Sequence, residues 1–240
     1  MPLLLCNGIG TGLQLFDPLV EHLDPGRPVI GFDPPGIGGS AARRYRFATL
    51  ASAVRGVVAE LGHGRVDVLG LSWGGALAQQ YALQNPRHCR RLVLAATGTG
   101  SVMVPAAPRT LRHLLDPRRH RDPAHARAIA GEVWGGAARR DPDAAVAALH
   151  RGPTVVDPQA YRHQLTALAG WSSLAVLPLI RQRTLILAGD DDPIVPAVNA
   201  TLMARLLPHA RVHRYAGGHL ELLTGAAGLA PVIEQFLDAA

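Results

Sequence analysis

Residues 66–80, VDVLGLSWGGALAQQ, constrain the fold of this chain more than any other stretch. A short apolar run ends in GLSWG at residues 70–74, and a helical pattern follows directly. A G-x-S-x-G sequence between a strand and a helix is typical of a nucleophilic serine on a sharp turn, here Ser72. Because glycine lacks a Cβ, Gly70 and Gly74 would let the strand and the helix pass close together. The simpler alternative is a serine that caps a helix.

A nucleophilic serine needs a base and a third group that orients the base, and after such a turn the expected chain order is serine, acid, histidine. Residues 183–196, RTLILAGDDDPIVP, place three aspartates after a strand pattern. We predict that Asp192, next to a proline and deepest in the loop, is the acid. Asp190 and Asp191 are the alternatives, and we expect them to bond N–H groups of the loop or of a helix start.

The chain has 11 histidines, and we predict that His219 is the base. It lies in the glycine loop YAGGHLELL, after the last strand pattern and before the last helix pattern, where a triad of this order places its histidine. Eight of the other ten fall in a segment without strands, inside a strand, or after helices, and these are His113, His120, His125, His150, His163, His213, His88 and His209.

The chain opens with MPLLLCNGIGTG, a strand-like run that stops at a glycine turn. Such a turn binds either phosphate or an oxyanion. Leu13 replaces the last glycine of a dinucleotide motif, and Pro34-Pro35 separates a second candidate, GIGGSA at residues 36–41, from its strand. We therefore expect the backbone N–H groups of Ile9 and Trp73 to form an oxyanion hole, and we expect no metal and no cofactor.

Strands and helices alternate along most of the chain. Strand-like runs without strict alternation lie at residues 2–6, 28–33, 65–70, 91–96, 183–189 and 210–215, and helical patterns lie at 47–62, 73–84, 196–207 and 229–237. Such runs indicate strands that are buried on both faces. The order predicts an α/β fold, a mostly parallel sheet with helices on both faces.

Residues 98–178 contain no convincing strand pattern, and we predict that they form a helical cap over the site. The core would then consist of residues 1–97 and 179–240. The cap supplies large apolar side chains that we expect to bind an acyl chain, and these are Met103, Trp134, Tyr161 and Trp171. The alternative is that the aromatic side chains form the core of the cap itself.

The formal net charge is +6, and the longest basic cluster is Arg118-Arg119-His120-Arg121. Because it lacks interleaved aromatic residues, we interpret it as a solvated face and not as a nucleic-acid site. A patch that faces an anionic or granule surface is the alternative. Cys6 and Cys89 are expected to be buried, reduced thiols. Without a signal peptide or a membrane-span pattern, the expected location is the cytoplasm.

In combination, LLLCNGIGTG, GLSWGGALAQQYA and LAGDDDPIVP resemble the α/β-hydrolase family and, more closely, the intracellular depolymerases of medium-chain-length polyhydroxyalkanoates. The resemblance implies a triad of Ser72, Asp192 and His219, hydrolysis of a polyester of 3-hydroxy fatty acids, and contact with storage granules. It also implies an N-terminal pair of strands that we expect to be missing here, which would leave the first strand without a neighbour on one side.

The same triad would serve two other functions. A small-molecule carboxylesterase or lipase-like hydrolase is the first alternative, and the shape of the cap distinguishes it from a depolymerase. A non-catalytic binding protein is the second, and the complete set of Ser72, Asp192 and His219 argues against it.

Overall fold

The computed structural model describes residues 1–120, 122–149 and 158–239. Arg121 and His150, together with the side chain of His120, lie outside this description. In the described part of the chain, no helix combines the length and the apolar character needed to cross a membrane.

Six parallel strands of the described residues form one sheet in the order β2-β1-β3-β4-β5-β6. The strands are β1 (Leu3–Cys6), β2 (Val29–Ile30), β3 (Val66–Leu71), β4 (Cys89–Ala95), β5 (Arg183–Gly189) and β6 (Ala210–Tyr215). The predicted parallel α/β fold is confirmed. In register, Leu4 lies opposite Ile30 on one side and Val68 on the other. The expectation that β1 lacks a neighbour is therefore wrong, because the short β2 lies beside it at the edge of the sheet.

The helices are α1 (Asp17–Val20), α2 (Phe47–Glu60), α3 (Trp73–Gln84), α4 (Pro108–Leu115), α5 (Pro123–Trp134), α6 (Pro142–Leu149), α7 (Pro158–Ala169), α8 (Val198–Leu206), α9 (Glu221–Thr224) and α10 (Ala226–Asp238). Helices α4 to α7 lie between β4 and β5 in the chain, in the segment predicted to be a cap. All four begin with proline, whose fixed φ and missing N–H suit the first position of a helix. These prolines therefore divide the segment into separate short helices.

Alternate residues of the strands pack against different helix layers, as the pleat requires. Leu4 and Cys6 belong to one buried cluster, with side chains of α2, α3 and α8. Leu3 and Leu5 belong to the other, with side chains of α1, α9, α10 and the cap helices α5 and α6. The strand β6 is more exposed than its apolar pattern predicts, because it is an edge strand.

The two cysteines are buried, as predicted, whereas the basic cluster is exposed only in part. Cys6 and Cys89 are buried and free, and burial raises the pKa of both thiols well above the usual range. Arg118 is exposed and pairs with Asp116. Arg119 is only 4% exposed. The prediction of a solvated face is therefore wrong for Arg119, because this side chain turns inward and its guanidinium bonds the Tyr161 hydroxyl.

Candidate active site

Ser72 lies between β3 and α3 in a backbone conformation that residues with side chains rarely adopt, with φ 55° and ψ −116°. A Cβ on Gly74 would overlap the carbonyl oxygen of Cys6, and a Cβ on Gly70 would overlap that of Gly74. Close approach of strand and helix thus requires both glycines. The Thr97 hydroxyl donates to the Ser72 carbonyl at 2.7 Å, which helps to hold the turn.

The loops after β5 and β6 bring Asp192 and His219 together. His219 Nδ1 lies 2.9 Å from Asp192 Oδ2, and both side chains are buried. The other carboxylate oxygen, Oδ1, accepts hydrogen bonds from the N–H groups of Ile194 and Val195, each at 2.9 Å. The loop backbone therefore fixes the carboxylate, and the carboxylate orients the imidazole with Nδ1–H as its donor.

The two aspartates beside Asp192 have other partners. Asp190 forms an exposed ion pair with Arg214, and no backbone N–H of the described residues donates to its carboxylate, so the expectation for Asp190 is wrong. Asp191 accepts from the N–H of Gly136 at 2.7 Å and from the Arg139 guanidinium at 2.7 and 2.9 Å. The hydrogen bond from Arg139 holds the pKa of Asp191 below its usual range. Asp191 thus bonds an N–H at a helix start, as expected of it, and that short 3-10 helix, Gly136–Arg139, lies in the segment predicted to be a cap.

The C-terminal end of α5 contacts the loop after β6, which carries His219, through backbone atoms. The N–H of His219 donates to the carbonyl oxygen of Trp134 at 2.8 Å. Gly136 follows with φ 50°, and a Cβ there would overlap the N of Gly218. These two segments of the chain approach this closely only because each carries glycine at the contact. The position of His219 therefore depends on the cap as well as on the core.

The oxyanion candidates lie on the same side of the site as Ser72. Ile9 and Trp73 both line a cavity with it, and the N–H of Trp73 at the first position of α3 has no earlier helical turn to bond. Gln164 of α7 bonds both the loop after β1 and the first residue of α3. Its Oε1 accepts from the N–H of Gly10 at 2.7 Å, and its backbone oxygen accepts from the Trp73 indole at 3.0 Å.

Gln164 is fully buried, and no local pattern in the sequence indicates its role. It lies 154 residues from Gly10 and belongs to no motif, so only the fold brings the two together.

Two cavities meet at Ser72 and Trp73. The histidine cavity, of about 120 Å³, is lined by His219, Ile9, Trp134, Tyr161 and Arg119 among others. The Met103 cavity, of about 250 Å³, is lined by Met103, Pro105, Leu111 and Val195 among others. Leu114, Leu168 and Ile194 line both. The nucleophile candidate therefore faces two mostly apolar chambers.

The predicted site residues are brought together with one exception. Ser72, Ile9, Trp73, His219, Trp134 and Tyr161 line the histidine cavity, Met103 lines the Met103 cavity, and Asp192 lies behind His219. Trp171 lines neither cavity. Its indole N–H donates to Gln80 at 2.7 Å, and its ring packs on Phe47 with centroids 5.1 Å apart. Trp171 lies just past the end of α7 and packs the cap against α2 and α3.

Known proteins are similar to this chain both in sequence and in fold. A sequence model of the alpha/beta hydrolase fold matches residues 1–226. A poly(3-hydroxyalkanoate) depolymerase from Ectopseudomonas oleovorans is 46% identical over 242 residues, which cover 99% of this chain and 84% of that protein. A pimeloyl-acyl-carrier-protein methyl ester esterase from Aromatoleum aromaticum is 32% identical over 245 residues, covering 97% of this chain and 96% of that protein. The crystal structure of a hydrolase from Pseudomonas aeruginosa is similar with a TM-score of 0.82 at 25% identity, and the match covers 99% of this chain and 90% of that chain.

Proposed function

The chain belongs to the alpha/beta hydrolase family, and from that premise we propose that it is a serine esterase that depolymerises medium-chain-length polyhydroxyalkanoate to 3-hydroxy fatty acids. The observation that carries the proposal is the buried pair of His219 and Asp192 beside the cavity that Ser72 lines. The depolymerase of Ectopseudomonas oleovorans supports the substrate class.

In the proposed reaction, Ser72 Oγ attacks the ester carbonyl carbon while His219 Nε2 takes the hydroxyl proton. Asp192 stabilises the imidazolium through Nδ1–H, and the N–H groups of Ile9 and Trp73 bind the oxyanion. One such donor contributes about 3 kcal/mol to the transition state. The C–O bond to the leaving alcohol breaks, and His219 returns the proton to that oxygen. A water molecule, deprotonated by His219, then releases the acid from Ser72.

The two cavities suggest how the halves of an ester are placed. His219 must protonate the leaving oxygen, so the alcohol half has to lie on its side of Ser72. His219 lines the histidine cavity, and the Met103 cavity does not include it. We therefore assign the alcohol half to the histidine cavity and the acyl half to the larger Met103 cavity.

The cap also presents an apolar rim that suits contact with a polyester surface. Val102, Val104, Leu111 and Leu115 are 53%, 45%, 39% and 67% exposed, and Leu111 also lines the Met103 cavity. In the chain, Val102 and Val104 flank Met103, and Leu115 follows Leu114, and both Met103 and Leu114 line that cavity. Exposed apolar side chains next to the residues that line a cavity suit an interaction surface. We accordingly propose that the enzyme works at the surface of storage granules in the cytoplasm.

The direct test uses a fluorophosphonate probe and a suspension of poly(3-hydroxyoctanoate). The wild-type protein should be labelled at Ser72 and should release 3-hydroxyoctanoate. Ser72→Ala should lose the labelling and about 10⁶-fold in kcat while keeping its melting temperature. Polymer hydrolysis that survives in pure Ser72→Ala protein would exclude this nucleophile.

A small-molecule carboxylesterase is the second candidate, since the esterase of Aromatoleum aromaticum is similar over nearly its whole length. A substitution in the exposed apolar rim of the cap distinguishes a depolymerase from a carboxylesterase. In a depolymerase, Leu115→Ser should lower the ratio of polymer hydrolysis to soluble-ester hydrolysis, because adsorption to the polyester weakens. The matched control is Leu61→Ser, 54% exposed at the end of α2. No polymer hydrolysis by the wild type, with normal turnover of soluble esters, would favour the carboxylesterase.

A further inference from the structure

The histidine cavity contains a buried cation that the mechanism above does not use. Arg119 lies in a short 3-10 helix, Pro117–His120, and is 4% exposed. Its Nη2 donates to the Tyr161 hydroxyl at 2.6 Å, and that hydroxyl donates to the carbonyl oxygen of Leu114 at 2.8 Å. Tyr161 therefore holds the guanidinium in place through a phenol, not a carboxylate.

The guanidinium keeps unused bonding capacity. Its Nε is buried and has no hydrogen-bond partner among the described residues. Across the same described ranges, no aspartate or glutamate forms an ion pair with Arg119. A buried guanidinium stays charged, and leaving such a group without an anion is costly. A planar anion such as a carboxylate matches its geometry, since arginine binds carboxylates in a bidentate way.

The position of Arg119 indicates which part of the substrate carries that carboxylate. Arg119 and His219 line the same cavity, which is the one assigned above to the alcohol half of the ester. In a 3-hydroxyalkanoate polyester, the alcohol half at the carboxyl end of the chain is itself a 3-hydroxy acid. Its free carboxylate is joined to the leaving oxygen through two carbon atoms and a carboxyl carbon, so a single chamber lined by both Arg119 and His219 suits the two ends.

We propose that Arg119 binds the free carboxylate of the leaving 3-hydroxy acid, so that the enzyme selects the ester bond nearest the carboxyl end of a chain. The inference rests on the proposed ester hydrolysis and adds a specificity residue to it. The reaction is unchanged: the acyl group passes to Ser72, the leaving oxygen takes the proton from His219, and the carboxylate stays ionised on Arg119.

The test compares the dimer of 3-hydroxyoctanoate, with its carboxyl end free, with the same dimer methylated at that carboxyl. We expect the wild type to prefer the free acid by about 10- to 100-fold in kcat/KM, the range for a hydrogen bond to a charged group. Arg119→Met should bring the ratio close to one, and Arg119→Lys should recover part of it. The matched control is Arg118→Met, which removes an adjacent exposed arginine and should leave the ratio unchanged.

A binding measurement separates this inference from the proposed function. We expect the wild-type protein to bind 3-hydroxyoctanoate at least tenfold more tightly than 3-hydroxyoctanamide in calorimetry, whether or not it hydrolyses either dimer. This comparison needs no variant, so it also decides the matter if Arg119→Met fails to fold. Equal binding of acid and amide, or a preference for the free dimer that survives in folded Arg119→Met, would overturn the role of Arg119.

Discussion

Asp191 and Asp192 are adjacent in the chain, yet their carboxylates bind different parts of the protein. Asp192 Oδ2 lies 2.9 Å from the imidazole of His219, whereas Asp191 Oδ2 lies 2.7 Å from both the N–H of Gly136 and the Arg139 guanidinium. One loop therefore serves two purposes. It orients the histidine of the site, and it attaches the cap beside that histidine.

This division predicts different effects of the same substitution at neighbouring positions. Asp192→Asn should lower kcat by about 10⁴, because an amide favours the wrong tautomer of His219. Asp191→Asn should cost far less, since its partners lie in the cap. Asp190→Asn is the control, because the Asp190 carboxylate forms an exposed pair with Arg214, away from His219. Steady-state kinetics on a soluble ester provide the measurement, and an inactive Asp191 variant would contradict the assignment.

The bond between Asp191 and Arg139 also predicts a dependence on pH. Because Arg139 lowers the pKa of Asp191, the pair contributes stability above the ordinary value of 3.8 and loses it as the pH falls through the lowered pKa. Both side chains are about half exposed, so solvent screening limits the contribution at pH 7 to about 1 kcal/mol or less.

Arg139→Met should therefore unfold at a lower urea concentration than the wild type at pH 7. The difference in free energy of unfolding should shrink as the pH falls below the usual aspartate range. Arg140→Met, an exposed neighbour in the chain, is the control. A difference that stays constant down to acid pH would show that Arg139 acts through packing and not through this ion pair.

Gln164 should affect turnover more than binding. Its Oε1 holds Gly10, next to the predicted oxyanion donor Ile9, and its carbonyl oxygen holds Trp73. Gln164→Leu removes the first bond, so the donor N–H can move away from the oxyanion. We expect kcat to fall about 10- to 100-fold, because small misplacements of such donors have large effects. The KM value should change less.

The control for Gln164 is Thr166→Val on the same helix, because the exposed Thr166 hydroxyl donates to the carbonyl of Arg162 within α7. Melting temperatures of both variants should be compared first. Equal changes in kcat and KM in Gln164→Leu would indicate a contribution to substrate binding and would argue against a role in positioning the oxyanion loop.

The parts predicted well from the sequence are those that local patterns determine. The strand β5 and the helix α3 have the predicted bounds, since an apolar run and a glycine turn are local signals. The strand β6 also has the predicted bounds, but its exposure differs from the prediction, and β2 is shorter than predicted, because position in the sheet decides length and burial. Gln164, Arg119 and Trp171 depend on how the cap folds back, and no local pattern encodes their partners.

The two halves of the substrate can be tested separately, with one series of p-nitrophenyl esters of increasing acyl length and one series of alkyl esters with increasingly large leaving alcohols. If the acyl half lies in the Met103 cavity, each added methylene should contribute about 0.8 kcal/mol to transition-state binding. From a four-carbon to an eight-carbon acyl group, kcat/KM should then rise by up to about 10²-fold. Met103→Ala should flatten this rise. Trp134→Ala should instead weaken discrimination in a series of increasingly large leaving alcohols, because Trp134 lines the histidine cavity.

Trp171→Ala is the matched control for Trp134→Ala, since it makes the same chemical change in a residue that lines neither cavity. Both variants should lose stability, so each must be measured well below its melting temperature. Trp134 is 2% exposed, and its loss should cost about 3–5 kcal/mol of unfolding free energy. The backbone bond from His219 to the carbonyl of residue 134 remains in the variant, so reduced activity on large alcohols would report the lost indole. A peak at four-carbon acyl groups, or a preference that neither Met103→Ala nor Trp134→Ala changes, would contradict the assignment of the two cavities and favour a general esterase.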